Sequence, residues 1–65
     1  LDLPVELLDA LDADPALAES FAALTPGRQK SYVLNLNSAK TAATRLNRIT
    51  AFRPKILAGK GALDR

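Results

Sequence analysis

The sequence predicts an all-α fold, a small compact bundle of four helices in which two short acidic helices pack on two longer basic helices. Three observations indicate this class. Prolines recur every eleven residues at Pro4, Pro15 and Pro26, and proline is favoured at the first position of a helix, where its missing N–H would be unpaired anyway. Apolar residues recur at steps of three or four. No stretch alternates apolar and polar residues as a half-buried strand does.

The first two helices are expected to be short and acidic. Leu3-Pro4 begins the first and Asp14-Pro15 the second, where the Asp14 carboxylate can accept hydrogen bonds from N–H groups of the first turn. The inward stripes are Leu7, Leu8 and Leu11 in the first helix, and Leu17, Phe21 and Leu24 in the second. Because isolated helices of about ten residues are marginal in water, this pair must dock on the rest of the chain.

The third and fourth helices are expected to be longer. Thr25-Pro26 begins the third helix, which can run to about Ala39, and Thr41 caps the fourth. Their inward side chains are Tyr32, Val33, Leu36 and Ala39 in the third helix, and Ala42, Leu46, Ile49, Phe52 and Ile56 in the fourth. These two helices carry the larger part of the predicted core.

Two residues shape the end of the fourth helix. Pro54 cannot donate to the carbonyl of Thr50, so the helix is expected to kink or restart between Phe52 and Lys55. Gly59 suits the C-cap. The tail, residues 60–65, is expected to be frayed.

Length and composition restrict the class of protein. The 65 residues form a single helical domain, 1–65, which buries only about 60% of its unfolded surface. The chain contains neither Cys nor His, which removes disulfides, the commonest metal ligands and the commonest general base. We therefore expect no metal, no cofactor and no enzymatic activity.

The hydropathy and the first residue of the chain bear on membrane insertion, on the length of the whole protein and on the cellular compartment. No apolar run reaches the roughly 20 residues that cross a bilayer, so no membrane span is expected. The chain does not begin with Met, and we expect it to be a piece of a longer protein. The cytoplasm is the default compartment, and the periplasm is the alternative if a signal peptide belongs to the longer protein.

Charge divides the chain into two segments. Six of the seven acidic residues precede Leu24, whereas all nine Lys and Arg follow it together with Asp64, which gives net charges of −6 and +8. In so small a domain the two segments must fold against each other. The split is therefore either an internal electrostatic seam, whose protonation in acid would lower stability, or a basic face for a partner.

The helical period places two arginines of the fourth helix differently. At 100 degrees per residue, Arg45 lies about 40 degrees from Ile49 and borders the core, so its guanidinium can reach a carboxylate of the first two helices. Arg48 lies about 100 degrees from Ile49 and is expected to face solvent. The alternatives are a ligand for Arg45, and a phosphate or a partner for Arg48.

Other candidate residues also have structural interpretations. Tyr32 is expected in the core, with its hydroxyl at a polar edge. Arg28 begins the third helix against the helix dipole, so it needs an acidic partner in the seam or an anion. Lys40 is expected to end a helix, where a cation is favoured. Lys60 is expected in solvent. The segment 59–61 is not expected to bind a nucleotide, because no strand precedes it as in a phosphate loop.

A pattern of separated residues runs through the second half of the chain. It reads Leu24-Thr25-Pro26, Arg28, Tyr32, Ala39-Lys40, Thr44-Arg45, Arg48-Ile49 and Gly59-Lys60. This pattern resembles the bacterial bacteriocin-protection, YdeI or OmpD-associated family. The lead-in of the family is matched by Leu3-Pro4, Ala10-Leu11 and Phe21, so the resemblance covers essentially the whole chain. The chain departs from it at Asn35, where many members carry Trp, and at Pro54, where members keep a helix former.

The resemblance implies that the chain is the C-terminal part of a longer bacterial stress or bacteriocin-protection protein, in which it follows a small α+β domain. It also implies a role in resistance to bacteriocins or cationic antimicrobial peptides, together with a porin. The motif residues interpreted as structural are Thr25, Pro26, Tyr32, Thr41 and Thr44. The candidate interaction or anion-binding residues are Arg28, Lys40, Arg45, Arg48 and Lys60.

Two classes of function follow. The first, which we favour, is a non-catalytic domain that docks on its own N-terminal domain or on another protein. The second is a nucleic-acid-binding module that uses the basic face of the third and fourth helices. Its candidate contacts are Arg28, Lys30, Lys40, Arg48, Arg53, Lys55 and Lys60. The three aromatic residues all fit the core and the net charge is only +2, which favours the first class.

A cationic peptide would meet the acidic helices instead of the basic ones. The acidic side chains that could bind it are Asp2, Glu6, Asp9, Asp12 and Glu19. We expect weak binding at best, because exposed ion pairs contribute little free energy each.

Overall fold

The computed structural model describes residues 2–63, and this part of the chain contains four α-helices and no strand. The helices are α1 (Val5–Ala13), α2 (Pro15–Ala22), α3 (Pro26–Asn37) and α4 (Ala42–Leu57). The acidic pair, α1 and α2, packs on α4, and α3 packs on α4 as well. The predicted all-α bundle is confirmed.

Local capping explains where three of the helices begin. Asp14, Thr25 and Thr41 are the N-cap residues of α2, α3 and α4, and each side-chain oxygen accepts the N–H three residues later at 3.2–3.3 Å. Pro15 and Pro26 occupy the first turns of their helices as predicted.

The start of α1 differs from the prediction. Pro4 is the N-cap of α1 in an extended conformation, with φ −63° and ψ 149°, and the helix begins at Val5. An N-cap residue takes extended dihedrals, which the fixed φ of proline also permits. Pro4 therefore precedes the helix instead of opening it.

The core centres on Tyr32 of α3, whose side chain is 0% exposed. Its ring lies 6.5 Å from that of Phe21 on α2 and 5.0 Å from that of Phe52 on α4, the latter in an edge-on arrangement. The other large side chains buried around it are Leu7, Leu17, Leu36 and Ile56. All four helices thus contribute to one core.

Three residues predicted to face inward are exposed. Leu8 is 51% exposed, Leu46 is 52% exposed, and Ala42 at the start of α4 is also exposed. Leu46 and Phe52 lie about 60 degrees to opposite sides of Ile49 on α4. Only the flank with Phe52 packs against Tyr32, so helical spacing located the inward face correctly but made it too wide.

The predicted restart of the fourth helix is wrong. Helix α4 is continuous from Ala42 to Leu57 with Pro54 inside its last turns. Pro54 is exposed, so water can hydrate the Thr50 carbonyl, which has no N–H donor four residues later. The proline therefore costs one hydrogen bond on the outer side without ending the helix.

Residues 60–62 pack against the helices after α4, which corrects the prediction of a frayed tail for these three residues. Gly59 has φ +76°, and its N–H and that of Lys60 donate to the carbonyls of Ile56 and Lys55 at 3.0 and 2.9 Å. This is the Schellman arrangement, in which glycine takes the left-handed position. The predicted C-cap at Gly59 is confirmed in this form, and Asp64 and Arg65 lie outside the described residues.

Side chains of α3 and α4 then hold the returning chain, residues 60–62. The Tyr32 hydroxyl donates to the Lys60 carbonyl, the Ala62 N–H donates to Ser31 Oγ at 3.1 Å, and Lys55 Nζ donates to the Ala62 carbonyl at 3.1 Å. Ala62 is buried as a result. We call residues 60–62 the closing segment. No helix within residues 2–63 has the length and apolar character needed to cross a membrane.

The left-handed Gly59 generates a stability prediction. Replacing Gly59 with Ala is expected to lower the free energy of unfolding by about 1 kcal/mol or more, because a Cβ disfavours positive φ. Gly27→Ala is the matched control. An added Cβ there meets nothing within 4 Å, and alanine in α3 is expected to leave stability unchanged or raise it by up to about 1 kcal/mol. Urea unfolding followed by circular dichroism measures both, and equal effects would contradict the assigned role of Gly59.

Candidate functional site

Within residues 2–63, two ion pairs join the acidic part of the chain to the basic part, and both lie between the region of α1 and α4. The Arg45 Nε donates to the Glu6 carboxylate, and the Arg45 Nη1 donates to the Ala39 carbonyl at 2.9 Å. These two charged side chains are only 23% and 12% exposed. The predicted contact of Arg45 with a carboxylate of the acidic helices is therefore confirmed.

The second ion pair was missed by the sequence analysis. Arg53 Nε lies 2.8 Å from Asp14 Oδ2, whereas Arg53 had been assigned to a basic stripe for nucleic acid. The spacing contained the signal, because Arg45 and Arg53 are eight residues apart on α4, as Glu6 and Asp14 are at the two ends of α1. Asp14 thus caps α2 and binds Arg53 at the same time.

The two pairs fix how α1 lies against α4. In each pair the residues are 39 positions apart, and the pairs join the start of α1 to the start of α4 and the end of α1 to a later turn of α4. The two helices therefore run in the same direction. Parallel helix dipoles repel each other, and the ion pairs offset this repulsion. We call these four side chains the seam.

Both carboxylates of the seam are held ionised by their partners. The hydrogen bond from Arg45 lowers the pKa of Glu6 below its ordinary value, against a smaller opposing effect of burial. The hydrogen bond from Arg53 lowers the pKa of Asp14, and the N–H of Leu17 adds to the effect. In turn Asp14 raises the pKa of Arg53.

The prediction that Arg48 faces solvent is wrong. Its Nη1 donates to the Asn35 carbonyl at 2.7 Å, to Asn35 Oδ1 at 3.2 Å and to Ser38 Oγ at 3.0 Å. These acceptors lie in the last turn of α3, where backbone carbonyls lack helical donors. The flank of α4 that carries Arg48 faces α3, so the guanidinium serves as a C-terminal cap. Asn35 supplies two of the acceptors.

The structure does not gather the candidate interaction residues into one site. Arg45 and Arg48 bind within the domain. Lys40 is exposed in the connection between α3 and α4, beyond the end of α3 at Asn37, so the prediction that it ends a helix is wrong. Arg28 is exposed in the first turn of α3. Lys60 is exposed at the start of the closing segment.

The motif residues interpreted as structural occupy helix starts and the core. Thr25 and Pro26 begin α3, and Thr41 begins α4. The Thr41 hydroxyl donates to Thr44 Oγ1 at 2.9 Å while it accepts the Thr44 N–H at 3.2 Å. Tyr32 lies in the core with its hydroxyl on the closing segment, as predicted. Among residues 2–63, no three Asp or Glu side chains group to hold a metal ion.

One face of α4 remains open and uncharged. Its exposed residues span about 140 degrees of the helix. They are Ala43, Leu46, Asn47, Thr50, Ala51, Pro54 and Leu57. Leu46 and Leu57 are 52% and 40% exposed. We call this surface the outer face of α4. Of the exposed residues of α4 only Arg53 is charged, at the edge of this face, and it is paired with Asp14.

These features define a small all-α domain whose acidic and basic halves are joined by a seam of ion pairs, and whose longest helix leaves an uncharged face exposed. The model of the family described as Bacteriocin-protection, YdeI or OmpD-Associated matches residues 1–59, and the chain belongs to that family. The resemblance noted in the sequence is thereby confirmed.

One curated relative is similar over nearly the whole chain. The "Uncharacterized protein YdeI" of Bacillus subtilis (strain 168) is 47% identical over 64 residues, which cover 98% of this chain and 32% of the relative. The chain thus spans about a third of the length of that relative. No solved structure matches the chain.

The lowered pKa values of Glu6 and Asp14 predict a loss of stability in acid. A carboxylate that is harder to protonate when folded stabilises the fold fully above its ordinary pKa of about 4, and this stabilisation is lost as pH falls through the lower pKa of the folded state. The melting temperature, followed by circular dichroism from about pH 7 to about pH 2, is therefore expected to decrease below about pH 4.

Two variants locate this effect. Glu6→Gln removes one ion pair and is expected to make the acid decrease shallower. Asp9→Asn lies on the exposed side of α1 and is expected to retain the profile of the parent protein. A melting temperature that does not change between about pH 7 and about pH 3 would mean that the two halves do not depend on each other.

Proposed function

We propose that this chain is a non-catalytic protein-interaction domain and that the outer face of α4 is its docking surface. The observation that carries the proposal is the composition of that face. Charged residues make up 25% of the chain, yet the outer face has none and presents two half-exposed leucines. Depletion of charge around exposed apolar side chains is typical of the centre of a protein interface.

The remainder of a longer polypeptide is the partner that we propose. The chain matches only a third of its YdeI relative, and an uncharged helix face with exposed leucines suits a permanent contact better than a transient one. Leu46 and Leu57 would pack against the partner's surface, and Asn47 and Thr50 would lie between them in the contact. Another protein could fill the same role.

The protective role is also a proposal, supported by the description of the family. In this reading the domain contributes to bacteriocin protection by holding its partner. Direct capture of a cationic peptide has less support, because Arg45 already engages Glu6 and Asp14 engages Arg53. Asp2, Asp9, Asp12 and Glu19 are exposed, and single ion pairs at exposed positions contribute little free energy.

Binding of nucleic acid through the basic face has less support than protein interaction. Three of its proposed contacts already bind within the domain. Arg48 caps α3, Arg53 pairs with Asp14, and Lys55 holds the closing segment. Breaking these contacts to reach phosphates would cost the hydrogen bonds that they make.

A single cysteine at Thr50 tests the docking surface, because the natural chain has no cysteine. Thr50→Cys in the isolated domain is expected to react rapidly with a maleimide. When this chain replaces the matching segment of the B. subtilis relative, the reaction is expected to slow by about tenfold or more, because docking excludes water and reagent from the centre of an interface.

Asp12→Cys, on the exposed side of α1, is the matched control and should react at similar rates in both proteins. If Thr50→Cys reacts slowly inside cells but rapidly in the isolated domain and in the purified chimera, the partner is another protein. Rapid reaction in the isolated domain, in the chimera and in cells would contradict an interaction through the outer face of α4.

A further inference from the structure

A pocket lies at the end of α2, away from α4 and its outer face. Its volume is about 340 Å³, within the range of small-ligand sites. It is formed where the chain before α1 crosses the first two turns of α3. The lining residues are Leu3, Phe21, Pro26, Gln29, Lys30 and Val33.

The walls of the pocket are apolar. Leu3, Phe21, Pro26 and Val33 supply aliphatic and aromatic surface, and Phe21 and Val33 also belong to the core, where they are 7% and 3% exposed. Two of the walls are therefore held by packing on the opposite side. A preformed apolar recess of this size accepts a branched aliphatic side chain at low entropic cost.

The two polar residues of the pocket supply different groups. Gln29 Nε2 donates to the Phe21 carbonyl at 2.8 Å, which fixes the amide. Within residues 2–63, Gln29 Oε1 has no hydrogen-bond donor, and the Lys30 ammonium has neither an ion-pair nor a hydrogen-bond partner. The rim thus offers one acceptor and one cation.

The charge at the rim favours a carboxylate. Of the residues that the structure describes, 2–63, Lys30 is the only charged one that lines the pocket, and no acidic side chain among them lines it. Pro26 is the first residue of α3, so the positive end of the helix dipole also points toward this region. An ammonium and a helix start together stabilise a negative group more than either does alone.

We propose that this pocket binds the C-terminal aliphatic residue of a peptide or protein. The side chain fills the apolar recess, the terminal carboxylate binds Lys30, and the N–H of the same residue donates to Gln29 Oε1. An aliphatic group, a carboxylate and an amide N–H occur together in this arrangement at a chain end. A fatty acid has no N–H, and an internal aliphatic residue has no carboxylate.

This site adds a second surface to the proposed interaction role, and it rests on residues that the outer face of α4 does not contain. Either surface can therefore fail its test without affecting the other. The cysteine experiment at Thr50 reports on α4, whereas the peptide experiment below reports on α2 and α3.

Titration of the ¹⁵N-labelled domain with the acetylated tetrapeptide Gly-Ser-Gly-Leu tests the proposal. We expect saturable shifts at the amides of Gln29, Lys30 and Val33 with a Kd of about 1 mM or below. Amidation of the peptide's carboxyl terminus is expected to weaken binding about fivefold or more, because it removes the charge that Lys30 binds. A terminal N-methyl-leucine, which lacks the N–H, is expected to bind more weakly as well.

Protein variants separate the charge from the pocket. Lys30→Gln is expected to remove the preference for the free carboxylate over the amide. Lys40→Gln, an exposed lysine between α3 and α4, is the matched control and is expected to keep it. Circular dichroism checks that both variants retain the helical fold of the parent.

Three results would overturn the proposal. The first is the absence of saturable shifts at the pocket residues. The second is equal binding of the free and amidated peptides, which would exclude recognition of the carboxylate. The third is binding of octanoate at the same residues with an affinity equal to or greater than that of the peptide, which would identify a site for simple fatty acids.

Discussion

The hydrogen bond from the buried Tyr32 hydroxyl to the Lys60 carbonyl is the contact on which most of the structure depends. A phenol hydroxyl buried in a core needs a hydrogen-bond acceptor, because leaving it unpaired costs about 1–3 kcal/mol of stability. The acceptor can be in place only if the chain reverses after α4, which the left-handed Gly59 allows. The Tyr32 ring meanwhile packs against Phe21 and Phe52. One side chain therefore joins α2, α3, α4 and the closing segment.

The seam performs the corresponding task for α1. This helix contributes Leu7 to the core, but it runs parallel to α4 and is too short to be stable alone. The two ion pairs fix its register against α4 at both ends. The separation of charge along the chain is thus in large part an internal arrangement. Arg45 and Arg53 bind carboxylates, whereas Arg48 and Lys55 bind backbone carbonyls of α3 and of the closing segment.

The sequence predicted those features that depend on neighbouring residues. Capping by Asp14, Thr25 and Thr41 is decided within one helical turn, so the starts of α2, α3 and α4 could be predicted. The angular position of Arg45 was sufficient to predict its carboxylate partner. Helical spacing could not show which flank of α4 meets α3, and for that reason Leu46 was wrongly placed in the core and Arg48 in solvent. The order of the closing segment arises from contacts with Ser31, Tyr32 and Lys55, which are distant in sequence.

The contacts that the basic side chains make within the domain also determine which surface is available to a partner. Because the seam and the caps occupy the charges on the inward flanks of α4, its exposed side consists of small, amide and aliphatic groups. Contacts made there depend on shape and burial of apolar area, and such contacts respond little to ionic strength. Contacts of a basic surface with phosphates weaken steeply as salt is added. The pH-dependent part of the domain is therefore its seam, whereas docking on the outer face of α4, as we propose it, would not depend on charge.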